Sequence, residues 1–426
     1  MLPRITMSET EPMNINERRK YLHKMWGRYK KANKMEKSQL LNEMEAVIGM
    51  HRKSIIRLLN NQLSRKKRSR ERGRTYGVDV DDAIRKIAHS LDYPCAERLQ
   101  PNLDWMAEHL GYHDELQLQE KTKESLKIIS ESTLKRILKR IGRSEPKMAE
   151  KKPRKPSNSS IRKQYSMTKI AWDIPEPGHF EVDLIHHCGA TANGEFIHTL
   201  QMVDVATGWS EATAILGRSF RVMKDGFDYL LNRLPFPVLE IHPDNGAEFF
   251  NQFLLQYWKN MLPDLEITRS RPYQKNDNRF VEENNHSMVR AYIGHSRLDT
   301  FAQLKVLRQL LDKLWLFHNF FQPVMRLKEK QVISSTQFRR IYDQAKTPFD
   351  RLKEKDSLNE KNLSSLNNLR KQTNPLTLRN EIDSLIADLL ALPCLDKSET
   401  VNIFNTFIKE NDRSVTLSND LTIPFR

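Results

Sequence analysis

The chain has 426 residues, 38% of them hydrophobic, with 70 Lys and Arg against 54 Asp and Glu and a formal net charge of +16. That length allows about two to four domains, and the basic excess favours a polyanionic partner, nucleic acid before an acidic membrane surface. Apolar runs such as 385–392 fall far short of the ~20 residues of a membrane span, and no apolar signal region opens the chain, so no membrane partner is expected and the expected compartment is the cytoplasm, on the nucleoid.

Cys95, Cys188 and Cys394 stand singly, which fits a reducing compartment and offers neither a disulfide framework nor a zinc knuckle. His186-His187-Cys188 has no distant second pair of ligands and is not read as a metal site. Little before Asn14 looks structural, and Met7 or Met13 reads as an alternative start.

Residues 14–63 read as a helix-turn-helix DNA-binding domain. A basic amphipathic helix, 18–32, sets Tyr21, Leu22, Met25, Trp26 and Tyr29 on one face. Ser38 is the expected cap of a second helix, 39–48, with Leu40, Leu41, Met44 and Val47 apolar. Gly49 makes the turn into a third helix, 51–60, with Ile55, Ile56, Leu58 and Leu59 inside. His51, Arg52, Lys53, Ser54 and Arg57 would then face the major groove. A plain three-helix bundle with a solvated basic face is the blander reading.

Residues 64–77 form a basic arm, with seven basic residues among the ten of 65–74. Such an arm neutralises phosphates and binds in a salt-sensitive way. Arg72 and Arg74, flanking Gly73, are narrow enough for a minor groove. Residues 78–143 read as a second helical DNA-binding-like module. Ala83, Ile84, Ile87, Ala88 and Leu91 repeat at helical spacing, and 128–140 resembles another reading helix with Ser130 or Ser132 as cap. Lys135, Arg136, Lys139 and Arg140 are its candidate phosphate contacts. A helical spacer is the alternative. Residues 144–173, rich in Pro, Lys and Ser, read as a disordered basic linker that lets the DNA-binding half sit on a different DNA segment, or a different subunit, from the chemistry.

Residues 174–298 read as a catalytic core. Strand-like runs at 180–185, 197–204 and 209–214 are separated by turns at Gly194 and Thr207-Gly208. A helix at 220–234, a strand at 238–242, a helix near 249–258, a short strand at 265–268 and a helix at 280–293 come next. Three strands, helix, strand, helix, strand, helix is the order of an RNase H-like mixed sheet. Residues 299–426 read as a helical C-terminal region, with helices at 301–317 and from Asn374-Pro375 onward. The fold class expected is therefore multidomain α and α/β: helix-turn-helix modules, an RNase H-like core, and C-terminal helices.

Three acidic positions stand out in the core. Asp183 lies mid-strand in His179-Phe180-Glu181-Val182-Asp183-Leu184-Ile185. Asp244 ends a strand in His242-Pro243-Asp244-Asn245-Gly246-Ala247-Glu248-Phe249, where Asp, Asn and Gly build a turn. Glu282 follows Val281 at the start of a helical pattern, behind Arg271-Pro272-Tyr273. In this order, and with 37 residues between Asp244 and Glu282, the motifs resemble those of the DDE transposase and retroviral-integrase superfamily, in particular bacterial insertion-sequence transposases.

The resemblance implies metal-dependent DNA cleavage at transposon ends and strand transfer into target DNA. Asp183, Asp244 and Glu282 would be the catalytic metal ligands, for two Mg²⁺ ions, with Mn²⁺ as a substitute. Two such ions serve both ends of an in-line phosphoryl displacement, and Mg²⁺ takes carboxylate, water and phosphate oxygens. The partners implied are transposon-end and target DNA, with a homo-oligomer bridging two ends. Glu282 is preferred to Glu283, because it follows Val281 as the motif asks. Asn285 and His286 share its helix face. Asn278 stands where many relatives carry Gly, which puts the pose of Glu282 in question. Lys275, Arg279 and Arg290 are candidate DNA contacts. Glu248 is a motif residue with a supporting or direct role; Glu181, Asp204 and His242 read as ordinary strand and turn residues. The other classes kept open are a non-catalytic DNA-binding regulator derived from a transposase, and an RNase H-like nuclease without strand transfer.

Overall fold

The computed structural model describes residues 13–60, 74–142, 174–244, 246, 248–270, 278–333, 338–395 and 402–407. The chain divides into two compact units, Met1–Thr75 and Tyr76–Arg426. The expected linker 144–173, most of the basic arm with Arg72, and Lys275 lie outside the described residues.

The first unit holds α1 (Ile15–Lys31), α2 (Lys34–Ile48) and α3 (Arg52–Asn60). Both α1 and α2 begin on reciprocal capping boxes, Asn14 with Glu17 and Asn33 with Glu36. Each box satisfies backbone N–H groups that a helix start leaves open. The Asn33 box starts α2 earlier than the Ser38 cap expected. Ser38 instead accepts a hydrogen bond from the Arg52 guanidinium, Nη2 to Oγ at 2.8 Å. Gly49, at φ +62°, takes the left-handed conformation that closes α2. Leu22, Met25, Leu40, Leu41, Met44, Ile48, Ile55 and Leu59 make the core. Val47, expected inside, is 44% exposed, and Ile48 is buried beside that position instead.

The second unit opens with α4 (Val78–Ser90), α5 (Ala96–Leu99), α6 (Leu103–Tyr112), α7 (Glu120–Ile128) and α8 (Glu131–Ile141). Ser130 caps α8 by accepting from Thr133 N. These helices do not stand apart from the rest of the unit. Their apolar faces join the same buried cluster as the sheet and the C-terminal helices. Gln322 donates to Leu91 O at 2.6 Å, Asn102 to Ala345 O at 3.2 Å, and Arg370 lies 4.1 Å over the Trp105 ring. Residues 78–142 therefore share a core and a unit with the sheet and the C-terminal helices.

A five-stranded sheet comes next: β1 (His179–His186), β2 (Ile197–Asp204), β3 (Ser210–Leu216), β4 (Glu240–Pro243) and β5 (Glu266–Ile267). The spatial order is β3-β2-β1-β4-β5. The first three strands form an antiparallel meander, while β4 pairs parallel with β1 and β5 parallel with β4. The meander turn is closed by Asp204, whose carboxylate accepts from Thr207 N at 2.7 Å and Thr207 Oγ1 at 2.6 Å, with Gly208 at φ +81°. Both faces of β2 and β3 are buried along their length, as expected of strands covered by helices on two sides. Between the strands run α9 (Phe220–Leu231) and α10 (Gln252–Met261). After β5 come α11 (Arg279–Asn284), a π-helical turn Asn285–Arg290, and α12 (Ala291–Ile293). The strand and helix order is the one expected for the core.

α13 (Phe301–Phe320) packs on β3. A buried charge network ties them to α9. Glu211 accepts from Trp209 Nε1 at 2.9 Å, Trp315 Nε1 at 2.7 Å and Arg233 Nε at 2.6 Å, and Arg233 also reaches Asp312 at 2.7 Å. Burial pushes Glu211 up, and Arg233 beside it is the chief opposing influence.

The C-terminal region is not wholly helical, which corrects the expectation. An antiparallel hairpin, β6 (Leu327–Val332) with β7 (Phe338–Tyr342), interrupts it. Its strands, Leu327-Lys328-Glu329-Lys330-Gln331-Val332 and Phe338-Arg339-Arg340-Ile341-Tyr342, lack the apolar alternation by which a strand is read from sequence. After it come α14 (Pro348–Glu354), α15 (Glu360–Gln372) and α16 (Pro375–Ala391), with Asn374 capping α16 and Pro375 at its first position. No helix among the described residues is long and apolar enough to cross a membrane.

Candidate active site

Three elements, β1, β4 and α11, meet where the pairing of β1 with β4 ends. These strands run parallel, in register through Val182 and Pro243. Asp183, mid-strand in β1, and Asp244, just past the end of β4, are each the next residue beyond that last register pair. Asp183 Oδ1 accepts from Leu184 N at 2.8 Å, and Oδ2 accepts from Asn285 Nδ2. Burial pushes the Asp183 carboxyl above its ordinary range and nearby Glu248 pushes the same way; the Leu184 N–H, Asn285 and His186 oppose them. Asp244 Oδ1 accepts from Gly246 N at 2.8 Å, the expected Asp-led turn.

Gly246 fits because of what surrounds it. A Cβ there would sit 2.7 Å from Glu248 Cδ and 2.9 Å from Asp244 Oδ1. Glu248 is thus folded back toward Asp244, and its carboxylate lies 3.6 Å from Arg218 Nη1.

Glu282 arrives on α11. Asn285, three residues on and so on the same helical face, makes the contact to Asp183. Glu283 is turned elsewhere. It lines a cavity of about 180 Å³ with Phe280, Asn284, His318 and Arg326. Both glutamates are exposed. Asn278, before α11, has φ −116°, which any residue adopts, and accepts from Ser270 Oγ at 2.6 Å; a glycine is not required there.

Glu181, expected to be an ordinary strand residue, has a larger part. It shares a strand face with Asp183 and is fully buried. Its Oε2 accepts from Phe280 N at 2.7 Å and Val281 N at 3.0 Å, which caps α11 from β1. Burial pushes its carboxyl up to about 7, against those N–H donors and the Arg279 and Arg326 charges. Its Oε1 has no hydrogen-bond partner among the described residues. The two-residue interval to Asp183 was the one signal available in the sequence.

His242 is buried and hydrogen-bonds Thr268 Oγ1 at 2.6 Å, the strand role expected. His186 and His198 meet Nδ1 to Nδ1 at 2.8 Å, and burial lowers both, His198 to about 3.

The basic candidates divide. Arg52 folds back on α2 through Ser38 and Asn42, so its guanidinium braces the bundle. Lys53 and Arg57 are exposed on α3 and Ser54 is half-buried. Arg74 is exposed. Lys135 pairs with Glu97 at 3.2 Å, and Arg136 returns to Ser132 O at 3.1 Å and Thr133 Oγ1 at 3.2 Å. Lys139 is exposed, and Arg140 pairs with Asp81. Arg279 lies 4.5 Å over the Phe280 ring, beside the Glu181 cradle. Arg290 braces the core through His186 O at 2.7 Å.

Asp183, Asp244 and Glu282 offer carboxylate oxygen alone, the donor set that suits magnesium. The desolvated Asp183, with the Glu248 carboxylate also raising it, is a site that a divalent cation would relieve. By donor chemistry the residues fit. Among the described residues, no three His, Cys, Asp or Glu side chains are gathered as a metal-holding group.

The fold and this site describe a mixed α/β protein with acidic residues where the pairing of its parallel strands ends and a helix braced against β1. No family model matches the chain. It is 30% identical over 316 residues to the uncharacterized protein y4rM of Sinorhizobium fredii, covering 74% of this chain and 89% of that one. The chain belongs to the family of that protein. A solved structure similar to part of it is the catalytic core domain of BIV integrase, at 18% identity, 42% of this chain, 95% of the other and a TM-score of 0.27.

Proposed function

We propose that this protein is a DDE-type transposase that cleaves DNA at the ends of a mobile element and joins them to target DNA. The observation that supports the reading is the parallel register of β1 and β4, in which Asp183 and Asp244 each follow the last pair Val182 and Pro243, with the Glu282 helix tied to β1 by Glu181 and Asn285. Asp183, Asp244 and Glu282 would hold one or two Mg²⁺ ions, with Mn²⁺ as substitute, which supply activation of the nucleophile and stabilisation of the leaving oxygen.

The chain's own groups have definable tasks. Asn285 fixes the Asp183 rotamer and favours its ionised form. Glu181 sets where α11 begins, and so where Glu282 projects. The turn at Gly246 keeps Asp244 and Glu248 close together. Water attacks at the element's end to release a 3′-hydroxyl, and that hydroxyl attacks target phosphate in the same cleft; no covalent protein–DNA link is needed. Exposed Lys53 and Arg57 on α3, with the basic arm, supply phosphate contacts whose strength falls with salt. A homo-oligomer would bring two ends together on the nucleoid.

The test is cleavage and strand transfer with Mg²⁺ on DNA bearing the element's own ends, for the parent beside Asp183→Asn, Asp244→Asn, Glu282→Gln and Glu283→Gln, with DNA binding followed in parallel. The expected result is loss of chemistry in the first three with binding kept, and activity in Glu283→Gln. A parent that nicks without joining replaces this reading with a nuclease. A parent that binds the ends and does neither replaces it with a DNA-binding regulator.

A further inference from the structure

Beside the carboxylate site, an exposed aromatic ring, Phe253, lies against a half-buried one, Phe220. Phe220 begins α9 and Phe253 lies in the first turn of α10. Their ring centroids are 5.5 Å apart at 40°. In the run Phe249-Phe250-Asn251-Gln252-Phe253, the first two rings are buried, whereas Phe253 is 66% exposed. A single exposed apolar side chain needs no explanation. This pair, however, shares one open concavity with Arg218, Glu248 and Asn251. The Asn251 side chain is committed to the chain itself, donating to Glu248 O at 2.9 Å and accepting from Leu254 N at 2.8 Å. The Arg218 side chain is 60% exposed and 3.6 Å from Glu248. Glu248 in turn lies against Gly246, where a Cβ would meet both Glu248 Oε1 at 2.7 Å and Asp244 Oδ1 at 2.9 Å. The concavity thus adjoins the carboxylate cleft.

We propose that Phe220, Phe253 and Arg218 form a platform for one unpaired nucleobase of a DNA strand passing the active site. The inference rests on the transposase reading and adds to it a subsite for single-stranded DNA. Aromatic faces stack any base, whatever the sequence, while a nearby cation holds the adjoining phosphate. Arg218 lines the same concavity as the rings and is 60% exposed, which suits a base on the phenyl rings and its phosphate on the guanidinium. Two rings bordered by Arg218 and Glu248 make a small apolar area with charged edges, unlike the larger patches of a protein-docking face. The chain's net charge of +16 agrees with a nucleic-acid strand as occupant.

The test is equilibrium binding of the full chain to two DNAs, a blunt duplex and the same duplex with a short single-stranded flank carrying 2-aminopurine. Phe253→Ala, Phe253→Trp and Arg218→Ala are compared with the parent, with circular dichroism to confirm folding. The expected result is that Phe253→Ala binds the flanked DNA about 5- to 150-fold more weakly, the worth of one base on an aromatic ring, and blunt duplex as the parent does. Phe253→Trp should retain binding and 2-aminopurine quenching, and an abasic nucleotide in the flank should erase the difference between parent and Phe253→Ala. Equal binding of parent and Phe253→Ala to flanked DNA overturns the platform. So does a change in sedimentation for Phe253→Ala with DNA affinity unchanged, which assigns the rings to a contact between copies. A parent that cuts and joins while Phe253→Ala binds as it does defeats the platform alone; a parent that binds no DNA defeats the transposase reading with it.

Discussion

Glu181→Gln isolates the buried carboxyl that braces the catalytic helix. The glutamine oxygen still accepts from Phe280 N and Val281 N, so the cap on α11 survives while the titratable proton is removed. The parent carboxyl titrates at about 7 in the fold against an ordinary 4.5, chiefly through burial. Below the lower value, folded and unfolded chains both hold the proton, and burial of the group costs nothing electrostatic. As pH rises through the window, the unfolded chain releases its proton first and the folded chain retains it, so stability falls; above about 7 the loss is complete. A carboxyl displaced over that interval changes stability by about 3 kcal/mol. Urea unfolding of parent and Glu181→Gln from pH 4.5 to 8 should therefore give curves that diverge by about 3 kcal/mol, with the variant the more stable at pH 8. Parallel curves would refute the argument, because they would mean that Glu181 is not the desolvated, proton-holding group that its contacts describe. Glu181→Ala serves as the contrast. It leaves two buried N–H groups without their acceptor, at about 1–3 kcal/mol each, and is expected to lose stability at every pH.

Two further outcomes rest on the same geometry. Gly246→Ala forces a methyl against Asp244 and Glu248; DNA cleavage should fall by at least about tenfold, the equivalent of ~1.4 kcal/mol in the barrier, while DNA binding and the urea midpoint stay near the parent's, and full activity would show that those acids tolerate displacement. Arg233→Met strands Glu211 and Asp312 without their shared cation; it should cost about 3–5 kcal/mol in urea unfolding, and a loss below about 1 kcal/mol would show the network to be bystander packing.

Much of the core was legible because its signals are local. Asp204 and Thr207-Gly208 announce a turn by their chemistry, β-branched and aromatic runs announce strands, and Asn374-Pro375 announces a helix start. The capping boxes Asn14 with Glu17 and Asn33 with Glu36 are equally local, yet Ser38, nearer the apolar run of α2, is the more conspicuous cap in sequence. Glu181 shows where local signals stop. In sequence it is one acid among several on a strand; its role appears only when α11, about a hundred residues away, brings Phe280 and Val281 to its carboxylate.

By itself, then, the sequence determined the order of strands and helices, the Asp-Asn-Gly turn and the candidate acids, since dihedral preference, capping and alternation act over a few neighbouring residues. The tertiary structure decided that Asn285 reaches Asp183, that Arg52 is spent bracing α2, that a hairpin interrupts the C-terminal helices, and that α4 to α8 pack against the C-terminal chain. Each of those outcomes depends on which distant apolar and charged groups must be buried or paired together, and no window of neighbouring residues carries that information.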